Sequence, residues 1–253
     1  MKEKLYTIPL NDAVNAMDEC PFCSIERSVE HDLLDFVLGS GSSYMESDVR
    51  EATDHAGFCR EHFKKMYHYG NTLGNGWILK THFIQMNQEL EKQIKNYQDN
   101  RPAKMGLFKK TAETKSSMGT WIEEKKQSCY ICNQFSDTYT RYLDTFLIMY
   151  RKDADFKERI KNSKGFCLIH FGDLIEYAEH KLNDKEKAEV MPDLMALMST
   201  NMQRLGEEVA WLVEKFDYRN KDADWKNSKD SIGRGMQKLK GGYPADDYYK
   251  MDK

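Results

Sequence analysis

The sequence is short of proline, has no long apolar run and carries almost no net charge. Five prolines in 253 residues leave long stretches free to be helical and exclude a proline-rich or low-complexity chain. No segment approaches the ~18 consecutive apolar residues that a membrane-crossing helix needs, and the first ten residues lack the apolar centre of a secretory signal. The expectation is therefore a cytoplasmic protein with no membrane partner. A charge of −3, from 38 basic and 41 acidic residues, supplies no overall field toward nucleic acid and argues against that partner. Catalytic signatures are also missing: there is no GxSxG, no P-loop, no strand-linked GxGxxG and no HExxH. No strand pattern of useful length occurs. With 40% apolar, 12% aromatic and 31% charged residues, the expected class is a folded, all-α protein.

Cysteine is scarce too, and its placement is the strongest signal in the chain. All six fall inside a duplication. The first copy has Cys20-Pro21-Phe22-Cys23 and then Gly57-Phe58-Cys59-Arg60-Glu61-His62-Phe63. The second has Cys129-Tyr130-Ile131-Cys132 and Gly165-Phe166-Cys167-Leu168-Ile169-His170-Phe171. The CxxC pairs are offset by 109 residues and the GFCxxHF runs by 108. Of seven histidines, only His62 and His170 recur at equivalent positions. Three thiols per copy cannot all pair as disulfides within that copy. Three thiols and an imidazole do match a tetrahedral Cys3His metal site.

The expected ligands are Cys20, Cys23, Cys59 and His62 in one copy, and Cys129, Cys132, Cys167 and His170 in the other. Zinc, two per chain, is the first choice of metal. Four protein ligands would leave no open position, so its role would be structural. An iron–sulfur cluster is the alternative cofactor, because thiolate-rich sites serve both. A redox-active CxxC is a further rival: Pro21 and a helix N-terminus would suit it, but the second pair lacks the proline and no βαβ pattern surrounds either.

The periodicity predicts a short helix over Asn11 to Glu19 with Asn11 as its cap, and a counterpart over Thr120 to Gln127. A helix is expected to begin at Pro21, with Ile25, Val29, Leu33, Phe36 and Val37 as its core stripe. Polar helices are placed over Met45 to Thr53 and Asp153 to Lys161. Long helices are placed over Trp77 to Tyr97 (Ile78, Ile84, Leu90, Ile94) and Pro192 to Phe216 (Met195, Met198, Met202, Leu205, Val209, Leu212, Phe216). The architecture read from this is two tandem helical bundle units, each closed by a Cys3His site, plus a helical tail. The divisions are 1–98, a basic linker at 99–119, 120–216, and a tail at 217–253 whose helix is placed over Ser228 to Lys240.

In that tail Tyr218, Trp225 and Tyr243 stand among Arg219, Lys221, Lys226, Lys229, Arg234 and Lys238. Such a mixture would suit a nucleotide or another phosphorylated ligand, although a packed helix with solvated charges also explains it. The chain resembles a bacterial family of uncharacterised proteins with a CPxC pair and a GFCxxH run, often duplicated. That family ends in a Phe-Asp-Tyr-Arg tail, here Phe216-Asp217-Tyr218-Arg219. The resemblance spans nearly the whole chain, departs from the pattern at the lost second proline, and implies no activity. The function expected is a metal-binding binding or scaffold module with a protein or small-molecule partner; a redox protein is the alternative.

Overall fold

The computed structural model describes residues 5–99 and 116–251. Among these residues are eleven α-helices and no strand. They are α1 Thr7–Asn15, α2 Pro21–Leu38, α3 Ser47–Ala56, α4 Arg60–Tyr69, α5 Thr72–Asp99, α6 Ser117–Gln127, α7 Tyr130–Lys152, α8 Ala154–Lys161, α9 Leu168–Lys181, α10 Asp184–Glu214 and α11 Ser231–Lys240. The protein is all-α, as its sequence indicates. Of the linker expected at 99–119, residues 100–115 lie outside the described residues, and its last three belong to α6.

Several helix starts follow from residues that answer unpaired N–H groups. Pro21 takes the first position of α2, where its missing N–H costs nothing. Asp153 caps α8 by accepting from the Phe156 N–H at 3.0 Å. Several expected starts move, and the first long helix begins at Thr72 instead of Trp77. Asn11 does not cap α1, because its amide donates to the Thr7 carbonyl inside the helix at 2.9 Å. The second long helix starts at the Asn183–Glu186 capping box, and Pro192 lies within it. Three core stripes are also narrower than expected: Phe36 of the first, Ile84, Leu90 and Ile94 of the second, and Met195 and Phe216 of the third are exposed.

The chain divides into two compact units, one from Met1–Val29 and Asp137–Asp247, the other from Glu30–Ser136 and Tyr248–Lys253. The division at 98 and 120 thus describes the duplication, whereas each compact unit draws on both copies. In the first unit Phe22 packs against Phe146, Phe166 and Tyr139, with ring centroids 5.4–5.7 Å apart. Leu143, Leu174, Leu194 and Leu205 of the same unit are buried. In the second, Leu34, Val37 and Leu38 from the far part of α2 pack with Phe58, Met66, Tyr69, Ile78 and Ile131.

Candidate metal centres

All eight expected ligands come together, but in a different partition. One group is Cys20, Cys23, Cys167 and His170; the other is Cys59, His62, Cys129 and Cys132. Each therefore takes its CxxC from one copy and its Cys-x-x-His from the other, which corrects the expectation that each copy closes its own site. The physical reason is the helix that continues from each CxxC. At ~1.5 Å per residue, α2, which ends at Leu38, carries the chain ~22 Å beyond Cys23. The Cys-x-x-His of the same copy packs near that far part, where Phe58 contacts the cluster of Leu34, Val37 and Leu38.

Every arm is built alike: the first ligand stands immediately before a helix and the second is its third residue. This holds for Cys20 and Cys23 on α2, Cys59 and His62 on α4, Cys129 and Cys132 on α7, and Cys167 and His170 on α9. Two helix N-termini thus face each group, and their free N–H groups and positive dipole ends favour thiolates. The His170 N–H reaches the Cys167 sulfur at 3.4 Å, and the Cys132 N–H reaches the Cys129 sulfur at 3.5 Å. Gly57 and Gly165 turn the chain into the Cys-x-x-His arms at φ 61° and 75°. These left-handed values favour glycine.

In the first centre all four ligands are buried. His170 Nδ1 stands 3.5, 3.5 and 3.3 Å from the sulfurs of Cys20, Cys23 and Cys167. In the second centre His62 Nδ1 is 3.2, 3.2 and 3.4 Å from those of Cys59, Cys129 and Cys132, and the Cys59 and Cys132 sulfurs are 4.0 Å apart. A tetrahedral zinc with bonds of ~2.3 Å to sulfur and ~2.0–2.1 Å to nitrogen would hold neighbouring donors ~3.5–3.8 Å apart. The donor sets fit such an ion in composition and in spacing.

The other ring nitrogen completes the fit. His62 Nε2 pairs with Glu30 at 2.9 Å, and Lys65 holds the other oxygen of that carboxylate. This is the carboxylate–histidine arrangement that orients metal-binding imidazoles. His170 Nε2 lies 3.7 Å from Glu26, and its ring packs against Phe22 and Tyr139.

Proton competition points the same way. Burial opposes a charged imidazole in both groups, yet the facing thiols raise His62 and His170 to about 10. Burial would raise Cys129, but His62 brings it down to about 6. Burial and neighbouring sulfurs push Cys20 and Cys132 upward, while Cys20 and Cys23 hold Cys167 far down. Three sulfurs and a ring nitrogen thus contend for a few protons in a space that fits one ion. A divalent cation would replace those protons and remove the conflict.

Sequence reasoning missed the supports. Glu30 gave no repeat signal, because its counterpart 109 residues on is Tyr139. Lys238, expected among solvated charges, is buried. Its ammonium donates to the carbonyls of Glu19 at 2.7 Å and Lys164 at 2.6 Å, so it ties down the residues leading into both arms of the first centre.

No helix among the described residues is long and apolar enough to cross a membrane. No curated protein and no solved structure matches the chain. A family of unknown function, DUF6062, matches it over residues 1–246, and the chain belongs to that family.

Proposed function

We propose that this chain is a zinc-folded helical binding or scaffold module of the cytoplasm, with one structural zinc in each centre. Cys20, Cys23, Cys167 and His170 hold the first; Cys59, His62, Cys129 and Cys132 hold the second. The observation that carries this reading is that four donor atoms lie within 4.8 Å of one another in each group. That spacing suits a single ion, whereas a cluster spreads its ligands over several irons. Four protein ligands leave no coordination position for substrate, so the metal serves the fold instead of acting as a Lewis acid. Structural zinc supplies ~10–16 kcal/mol of apparent binding energy, comparable to the whole stability of a domain at ~5–15 kcal/mol.

The test is elemental analysis with a visible spectrum, on protein purified anaerobically without a metal-binding tag. Two zincs per chain and no colour are expected. Iron with matching sulfide would make this a redox protein, and protein that folds free of metal would return the cysteines to thiol chemistry.

A further inference from the structure

The tail helix α11 packs on α9 and α10, and beside it lies a polar cleft of about 520 Å³. That volume falls within the ~300–1,000 Å³ of small-molecule sites. Its lining includes five cations: Lys164, Arg204, Lys226, Lys229 and Arg234. With Lys238 behind them, they form two layers that differ in what answers their charge.

The inner layer is neutral. Arg204 contacts Glu19 at 2.6 Å and Glu208 at 3.0 Å. Arg234 contacts Glu19 at 3.1 Å, Glu208 at 2.5 Å and Asp230 at 2.7 Å. Lys238 contacts Glu19 at 3.0 Å. Three cations thus meet three carboxylates. The Arg204 Nε–H also donates to Asn201 at 3.0 Å, which fixes the plane of its guanidinium.

The outer layer is not neutral. Lys164, Lys226 and Lys229 line the same cleft as Glu208 and Asp230; the Lys164 charge reaches Asp230, which Arg234 already holds, and none of the three lysines has a carboxylate within salt-bridge distance among the described residues. Lys226 is also held in place. Its φ of 51° is left-handed, its N–H donates to Asp224 at 2.9 Å, and its ammonium lies 4.3 Å from the centroid of Trp211. Such a backbone persists where surrounding structure enforces it.

We propose that this cleft binds a small phosphate monoester, its dianion held by Lys164, Lys226 and Lys229 against the fixed Arg204 and Arg234 floor. Three lysines on one cleft, none in a salt bridge among the described residues, match a multiply charged anion, which a single carboxylate would not balance. The polar lining, with Asn227 among it, suits the hydroxyls of a hydrated small molecule better than an apolar ligand. The inference deepens the reading as a binding module, and rests on it in one respect: Lys164 directly precedes the Gly165–His170 arm, whose geometry the first zinc would fix.

The test is calorimetric titration of the full-length protein at low salt with inorganic phosphate and with ribose 5-phosphate, succinate serving as the carboxylate control. The metal content of every sample is measured alongside. Ribose 5-phosphate should bind more tightly than succinate, and K226A/K229A should weaken it by about tenfold or more while metal content and melting stay unchanged. Zinc-loaded protein that binds neither phosphate probe, or binds succinate as well, would overturn this proposal alone. So would full retention of phosphate binding in the double variant. Phosphate binding by folded protein that contains no metal would sustain the cleft and overturn the zinc reading instead.

Discussion

The two centres use the same donors at the same spacing, yet all four ligands of the first are buried while Cys59 and Cys132 of the second reach solvent. The difference comes from the chain that extends beyond each copy. Only the second copy continues into α11, whose Lys238 binds carbonyls before both arms of the first centre. The turn after α11 then lies against that centre, where a Cβ on Gly241 would stand 3.7 Å from the Cys167 sulfur and 3.9 Å from that of Cys23. The second centre has a closer carboxylate instead: Glu30 at 2.9 Å from His62, against Glu26 at 3.7 Å from His170. One centre is covered by added chain and the other is steadied by an added charge. A duplicated site can thus keep its ligands while its two surroundings diverge.

The comparison breaks most directly at the ligands. C167S should remove one metal equivalent and melt the unit that contains it, since a structural zinc carries ~10–16 kcal/mol of apparent binding energy. C132S should remove the other equivalent with a smaller loss of stability, and in the unaltered protein a chelator should strip that second centre first. Elemental analysis with thermal unfolding of each variant checks this. Release of both metals at one rate, or loss of both from either variant, would show that the centres are not independent.

The carboxylates give a smaller and sharper test. E30Q removes the negative charge that orients His62 and leaves one acceptor oxygen where His62 and Lys65 each use their own, so zinc affinity at the second centre should fall ~10–100-fold. E26Q should change the first centre little, because Glu26 is farther away and its side chain is 41% exposed. Competition with a chromogenic chelator reads both. Equal effects would mean that distance and burial do not set the outer support.

How far these centres were legible in the sequence depends on which residues repeat. The candidate ligands repeat, so composition and spacing singled out all eight residues that the fold gathers into two groups. Their partition did not follow, because identical arms give the same ligand set whether they close within a copy or between copies. Only the length of α2, which carries the chain away from its own CxxC, distinguishes the two. Glu30 escaped because its counterpart is Tyr139, and Lys238 because a lysine in a polar tail reads as solvated until the oxygens that hold it are known. The start of α10 was visible, since Asn183 and Glu186 spell a capping box, but Pro192 offered a competing start. Of the tail's charged residues, Arg234 and Lys238 are buried or nearly so by paired carboxylates, which no hydropathy pattern records.

The mildest test separates the two turns. Gly57 and Gly165 share a left-handed backbone, so alanine at either position incurs strain of ~1–3 kcal/mol. They differ in room. A Cβ at Gly57 would lie 2.8 Å from the ring of His82, whereas one at Gly165 would meet nothing closer than 3.6 Å. The His82 ring cannot simply withdraw, because its Nδ1 is bonded to the Asp54 carbonyl at 2.8 Å. The Gly57 carbonyl also accepts the Tyr130 N–H at 2.9 Å, which joins the turn to the Cys129 arm. G57A should therefore be the more destabilising by ~1 kcal/mol, roughly the value of that hydrogen bond, and should loosen zinc at the second centre. G165A should show backbone strain alone and leave zinc at the first centre in place. Denaturant melts with metal-release rates measure both, and equal losses would mean that the glycines answer to backbone conformation and not to the ring beside one of them.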